Sequence, residues 1–370
     1  MVEIIMKNKY SVKFSRSIFV CIIFASIFQM GSAGAEVAAG AGSSAAAPIY
    51  RSWAKAYSKA TGARVEYDSI GSSAGMKKIL QQAVGFGATD VHPREKDLID
   101  GGLVVFPVAI TGISPVINVP KVQNGQLRLT GEVLSRIFMG EINRWNAAEI
   151  SNLNPDVVLP DLAIKVVVRS DGSGTTYNFS DYLAKISKTW AETYGVNTLI
   201  KWPGEVVSFK GSDGVSKAVR DTVGAIGYVD YGYVAEYGLT YVQMQNADGL
   251  YVKPSIASFK SALMHSEWSM TGQFGNTLTN KSGKNAWPIT MGTFAVFPRV
   301  VKNPDKTAAA LQFILWSFYN GDALVQENNF VRLPDRVQAS AFRMITSIRD
   351  RSGMPIGMGL MALPAVSKSQ

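Results

Sequence analysis

Cysteine is almost absent from this chain of 370 residues, and histidine nearly so: one Cys, at position 21, and two His, at 92 and 265. A single thiol excludes a disulfide framework and any multi-cysteine zinc or iron–sulfur site. Two imidazoles argue against a poly-histidine metal centre. No stripe of Lys and Arg interleaved with stacking aromatics is present, so nucleic acid is not an expected partner. No G-x-x-x-x-G-K-[ST] occurs, which leaves nucleotide hydrolysis unsupported. There is no internal repeat, low-complexity tract or long linker. What is present, 47% apolar and 18% charged residues with 34 Gly, is the composition of a globular protein. The length suits two domains, or two lobes of one fold, each burying its own core.

The N-terminus reads as an export signal over residues 1–35. Lys7, Lys9, Lys13 and Arg16 form a basic region, Ile18 to Phe28 an apolar one, and Ala33-Gly34-Ala35 a small-x-small cleavage pattern. The apolar run is shorter than the roughly 20 residues of a membrane span. Cys21 lies inside that run and not after it, so lipidation is not expected. Cleavage after Ala35 leaves 33 Lys and Arg against 27 Asp and Glu, a net charge of +6, and no cysteine. A diffusely basic exported protein suits an anionic small ligand.

Strand-like and helix-like segments alternate along the rest, which argues for an α/β fold. The 3.6-residue pattern predicts helices through Ile49–Tyr57, Met76–Ala83, Val133–Phe138, Phe179–Ile186 and Leu311–Phe318, with Thr130 as an N-cap. Strands are predicted at Arg64–Asp68, Leu103–Val108, Ile164–Val168, Gly224–Val229 and Gly292–Phe297.

The informative feature recurs: a small-residue turn that opens a helix, twice directly after a strand. It occurs as Gly42-Ser43-Ser44-Ala45, as Gly71-Ser72-Ser73-Ala74-Gly75, and as Asp171-Gly172-Ser173-Gly174-Thr175-Thr176. A helix N-terminus carries unpaired N–H groups and roughly half a positive charge, and Ser and Thr hydroxyls add donors. Three such turns converging would surround a tetrahedral oxyanion; separately, each is ordinary helix capping. A fourth turn, Gly211-Ser212-Asp213-Gly214, reads as capping only. Arg169 ends an apolar strand and needs a carboxylate or an anionic ligand. Asp90 follows a short apolar stretch and reads as a turn residue or a site carboxylate. Gly71–Gly75 also matches G-x-S-x-G, so a secreted serine hydrolase using Ser73, with His265 completing a triad, is an alternative. His265 lies in a polar stretch that reads as surface, and His92 reads as a loop residue.

In combination these residues resemble the periplasmic phosphate-binding proteins of phosphate-specific ABC uptake systems. The matching stretches are Gly40–Tyr50, Ile70–Gly75, Val84–Asp90, Ile137–Trp145, Arg169–Thr175, Gly224–Tyr231 and Ala286–Ile289. The resemblance implies a two-lobed "Venus flytrap" of the periplasmic-binding-protein type, each lobe a sheet flanked by helices. Lobe I would span 36–109 plus 290–354 and lobe II 110–289, followed by a tail over 355–370. It implies a non-enzymatic, monomeric receptor in the periplasm, without cofactor or metal, that delivers inorganic phosphate to membrane permease subunits. A site of the same fold for sulfate, molybdate or arsenate is the other alternative. The implied phosphate contacts are Ser43, Ser44, Ala45, Ser72, Asp90, Arg169, Ser173, Gly174 and Thr175, with Asp90 accepting the phosphate proton and Arg169 keeping it ionised. Ser44 stands where the family usually has Thr, and Ala45 where it usually has Phe, which leaves a backbone donor without the ring. His92-Pro93 and the tail depart from the family pattern.

Overall fold

The computed structural model describes residues 36–361. The export segment and the end of the tail lie outside the described residues. Among those described, no helix is long and apolar enough to cross a membrane.

The helical periodicities translate into packed faces. Ile49, Tyr50, Trp53 and Tyr57 are the buried side of the helix Ala47–Thr61, whose proline in the first turn forfeits no intrahelical bond. Helices Ser72–Leu80, Gly131–Phe138, Gly174–Ile186 and Pro304–Asn320 form where the pattern predicts. Thr130 caps the second of these by accepting from the Val133 N–H. Each large side chain so buried contributes about 1.5–3 kcal/mol.

One mixed sheet runs through the molecule. Its strands lie in the order Val65–Ser69, Ala38–Gly42, Phe86–Thr89, Thr290–Pro298, Leu103–Ile117, Ala225–Asp230, Lys165–Arg169, Val206–Phe209. The first three are parallel to one another, as are the last three. The two middle strands are antiparallel to their neighbours. Leu103–Ile117 is the shared member: up to Gly112 it pairs with Thr290–Pro298, and from Ile113 with Ala225–Asp230. This strand is buried throughout and far longer than the Leu103–Val108 segment read from sequence. Pro107, Gly112 and Pro115 mask it, being residues that ordinarily end strands. The register shift between Thr293 and Phe294 falls opposite Pro107, where a ladder donor is missing anyway.

Aromatic clusters fill the two halves. Tyr50 stacks on Tyr67 at 4.6 Å between ring centres in one, and Phe179 on Tyr228 at 4.2 Å in the other. Beyond residue 354 the chain continues as the helix Ile356–Met361, which packs on the helices Pro304–Asn320 and Asp335–Thr346.

Candidate functional site

Parallel strands all deliver their C-terminal ends to one place, the usual location of ligands in α/β sheets. Ser43 and Ser44 follow the strand ending at Gly42, and Gly71 the strand ending at Ser69. Asp90 follows Thr89, Asp171 follows Arg169, and Gly211 lies just past Phe209. Gly42 is required where it stands: its φ is +148°, and a Cβ there would fall 1.9 Å from the Ala88 carbonyl oxygen. Gly174 is required by proximity, since a Cβ would lie 2.6 Å from Ser72 Oγ and 2.8 Å from Asp90 Oδ2.

The turns are joined by hydrogen bonds. Ser43 Oγ donates to Asp90 Oδ2 at 2.6 Å, and Ser72 Oγ stands 3.5 Å from the same oxygen. Ser72 Oγ accepts from the N–H groups of Asp90 and Gly174, both at 3.2 Å. Asn178 Nδ2 donates to the Asp90 carbonyl at 2.7 Å. Ser173 Oγ caps its helix by accepting from the Thr176 N–H. Ser44 Oγ meets Ser212 Oγ at 3.0 Å and accepts from the Ser212 N–H. Two tyrosine hydroxyls hold the first turn by its carbonyls: Tyr67 donates to Ser43 O at 2.7 Å and Tyr233 to Ser44 O at 2.8 Å. All nine positions implied by the resemblance are buried. Two polar atoms among them, Asp90 Oδ1 and Thr175 Oγ1, have no hydrogen-bond partner. A buried polar atom left so is costly, about 1–3 kcal/mol, unless something completes it.

Arg169 grips Asp171 with two parallel bonds, from Nε at 2.7 Å and Nη2 at 2.6 Å, leaving the Nη1 hydrogens outside that pair. Burial acts to raise the Asp171 pKa, but the Arg169 bonds and charge outweigh it and hold that carboxyl below the usual range. Asp171 Oδ1 also accepts from the Gly211 N–H at 3.0 Å, tying the fourth turn to the third. Asp90 behaves oppositely. Its burial pushes the pKa up, and the Ser43 bond, the Thr293 hydroxyl, the Arg169 charge and the Ser72 bond recover only part of the shift.

Residues 31–318 match the PBP superfamily domain. The chain is 41% identical over 295 residues to the phosphate-binding protein PstS of Xylella fastidiosa, a match covering 80% of this chain and 81% of that one. It is 40% identical over 323 residues to PstS of Pasteurella multocida, covering 87% and 93%. The chain belongs to the PstS phosphate-binding protein family. Its fold is that of solved members of the wider group. The TM-score is 0.65 to a high affinity periplasmic phosphate-binding protein (PfluDING) bound with phosphate, at 20% identity and covering 87% of this chain and 97% of that one. It is 0.66 to the ancestral soluble variant of the Human Phosphate Binding Protein, at 19% identity and with the same coverage. At such identity the likeness is one of fold: mixed α/β in two lobes.

Several expectations change within this family fold. The fourth turn supplies no side-chain cap to its helix; instead Ser212 bonds Ser44 and Gly211 bonds Asp171. Arg169 favours the charged form of Asp90 without offsetting its burial, and the same guanidinium is paired with Asp171. Ser73 is exposed, donates to Thr198 Oγ1 at 3.2 Å, and has neither histidine as a partner. The His265 ring shares a hydrogen bond with Ser261 O, and His92 packs on Phe274 and Phe294. Tyr67 and Tyr233 escaped the sequence reading, since a tyrosine in an apolar pattern looks the same whether its hydroxyl is idle or bonded.

Proposed function

We propose that this chain is an exported receptor that binds one inorganic phosphate between its halves and delivers it to the membrane permease of an ABC transporter. The observation that carries the reading is Asp90: a buried carboxylate with one free acceptor oxygen, set among hydroxyls and helix N-termini. Phosphate near neutral pH retains a proton that such an oxygen accepts. Sulfate retains none and is repelled, which makes the carboxylate a filter as well as a ligand.

In this reading the N–H groups of Ser44 and Ala45, which the turn bonds described above do not use, donate to the phosphate. Ser72, Ser173 and Thr175 contribute hydroxyls, and Gly174 allows the close approach. Arg169 presents its remaining hydrogens, held in place by Asp171. Ser43 contributes by way of Asp90. Lobe I comprises residues 36–109 with 290–354, and lobe II 110–289. The long shared strand joins them, so closure brings Ser44 and Asp90 of one lobe against Ser173–Thr175 of the other. The receptor acts as a periplasmic monomer, is not an enzyme, and needs neither cofactor nor metal.

Calorimetric titration of the purified protein with phosphate, arsenate and sulfate tests this. Saturable binding of one phosphate per chain, with sulfate at least a hundredfold weaker, is expected. Absence of phosphate binding, or Ser73-dependent ester hydrolysis, would overturn it.

A further inference from the structure

Ser43 stands at the site with its hydroxyl already committed. Its Oγ–H points to Asp90 Oδ2 at 2.6 Å, and its oxygen accepts from the Ala46 N–H at 3.1 Å. The residue is wholly buried, and Tyr67 holds its carbonyl. A hydroxyl has one hydrogen to give, so Ser43 as placed does not donate to a ligand. Asp90 is correspondingly asymmetric. Oδ2 has Ser43 and Ser72 against it, while Oδ1 has no partner. Thr293 lies close to the same carboxyl, and its buried hydroxyl also favours the charged form.

We propose that Ser43 is a specificity-determining positioning residue: it anchors Asp90 Oδ2, so that only Oδ1 accepts the ligand's proton and the carboxylate stays charged against unprotonated anions. The proposal rests on the phosphate reading above and goes beyond it by assigning Ser43 to the carboxylate and not to the ligand. A hydrogen bond to the charged form of an acid favours that form. Among the groups acting on Asp90, burial is the largest and opposes ionisation, and the Ser43 bond is the first to oppose burial. The other titratable groups around it are Arg169, Asp230, Tyr50 and Tyr67. Arg169 is shared with Asp171, the Asp230 charge disfavours a second anion, and burial keeps both tyrosines neutral. His92, two residues on, is also held toward its neutral form by burial. Ser43 is therefore the strongest of the neutral neighbours, ahead of Thr293 and Ser72, and its removal changes Asp90 while leaving every formal charge in place.

The test is a double-mutant cycle on the purified protein, with phosphate and sulfate affinities measured from pH 5 to 9. Ser43→Ala in the wild-type background should lower the phosphate-to-sulfate ratio at pH 7 by about tenfold, the equivalent of one unit in the Asp90 pKa. The pH below which sulfate begins to bind should rise by about one unit. The same substitution in an Asp90→Asn background should leave the ratio unchanged within about threefold. An equal fall of the ratio in both backgrounds would show that Ser43 touches the ligand directly and would overturn the proposal. So would an unchanged ratio and pH profile in the wild-type background. Loss of phosphate binding by the wild type itself would instead refute the phosphate reading, so the two failures are separable. Thermal unfolding of each variant identifies any that is not folded, and Asp90→Asn alone then still reports whether the carboxylate discriminates.

Discussion

At the scale of single residues, two carboxylates of the site, Asp90 buried and Asp171 partly so, are driven in opposite directions. Asp171 has a guanidinium in bidentate contact and titrates low; Asp90 has hydroxyls and a more distant share of the same cation, and titrates high. Substituting Arg169 by Ala therefore does two things. It removes a charge-assisted donor worth about 1.5–3 kcal/mol, and it leaves Asp171 as an uncompensated anion facing the ligand. Phosphate affinity should fall at least tenfold, and more if Asp171 remains ionised, as calorimetry on the folded variant would reveal; an unchanged affinity would remove Arg169 from the site. Asp90→Asn preserves shape and replaces a repelling oxygen by an amide. Phosphate affinity should change modestly while sulfate binding improves, lowering their ratio about a hundredfold. An unaltered ratio would mean that discrimination lies elsewhere.

At the scale of elements, the helices that open at the site differ in how they are held. The helix Tyr231–Tyr237 is capped by Asp230, whose carboxylate accepts from the Gly232 N–H at 2.8 Å and from Thr111 Oγ1 at 2.6 Å. Thr111 belongs to the long shared strand and Tyr233 reaches Ser44, so this short helix ties the crossing to the first turn. Complete burial, reinforced by the Asp90 charge, pushes the Asp230 pKa up to about 7. An acid whose pKa is raised by folding favours the native state below its unfolded value, and that advantage is lost as pH rises through the folded value. For Asp230 the window runs from about pH 4 to 7. Asp230→Asn keeps a cap and abolishes this titration. The variant's stability should therefore gain on wild type across that window, by about 2–4 kcal/mol at neutral pH. Denaturant unfolding at intervals from pH 4 to 8 measures the difference, and a constant offset with pH would show that Asp230 does not titrate there.

At the scale of the whole molecule, the two halves meet at the site through small groups, while beyond it Trp268 and Phe274 pack on Phe294. Ser44 with Ser212, Ser72 with Gly174, and the Asp90 carbonyl with Asn178 are contacts a closing ligand would reinforce and an opening motion would release. The expected route of the chain to the periplasm is tested independently of binding. Mass spectrometry of the soluble exported protein should find Glu36 at the N-terminus. A retained Met1, or a lipid on Cys21, would contradict the reading of residues 1–35.

The sequence by itself determined the α/β alternation, the positions of the main helices and the turns that carry the site. Those are local signals: the spacing of Ile49 and Trp53, the cap at Thr130, and the glycines and serines that open helices. It also carried the family resemblance, because that resides in short ordered motifs. It left open whether the turns converge, since convergence depends on strand order and on a crossing strand concealed by Pro107 and Pro115. Only the tertiary structure decided that Arg169 pairs with Asp171, that the Gly211 turn closes on Ser44, and that Tyr67 and Tyr233 hold the first turn. Those partners are brought together from distant parts of the chain or, for Arg169 and Asp171, by the geometry of one turn. No periodicity records which hydroxyl meets which carboxylate, because hydrogen bonds of that kind are set by a few tenths of an ångström in a packed interior.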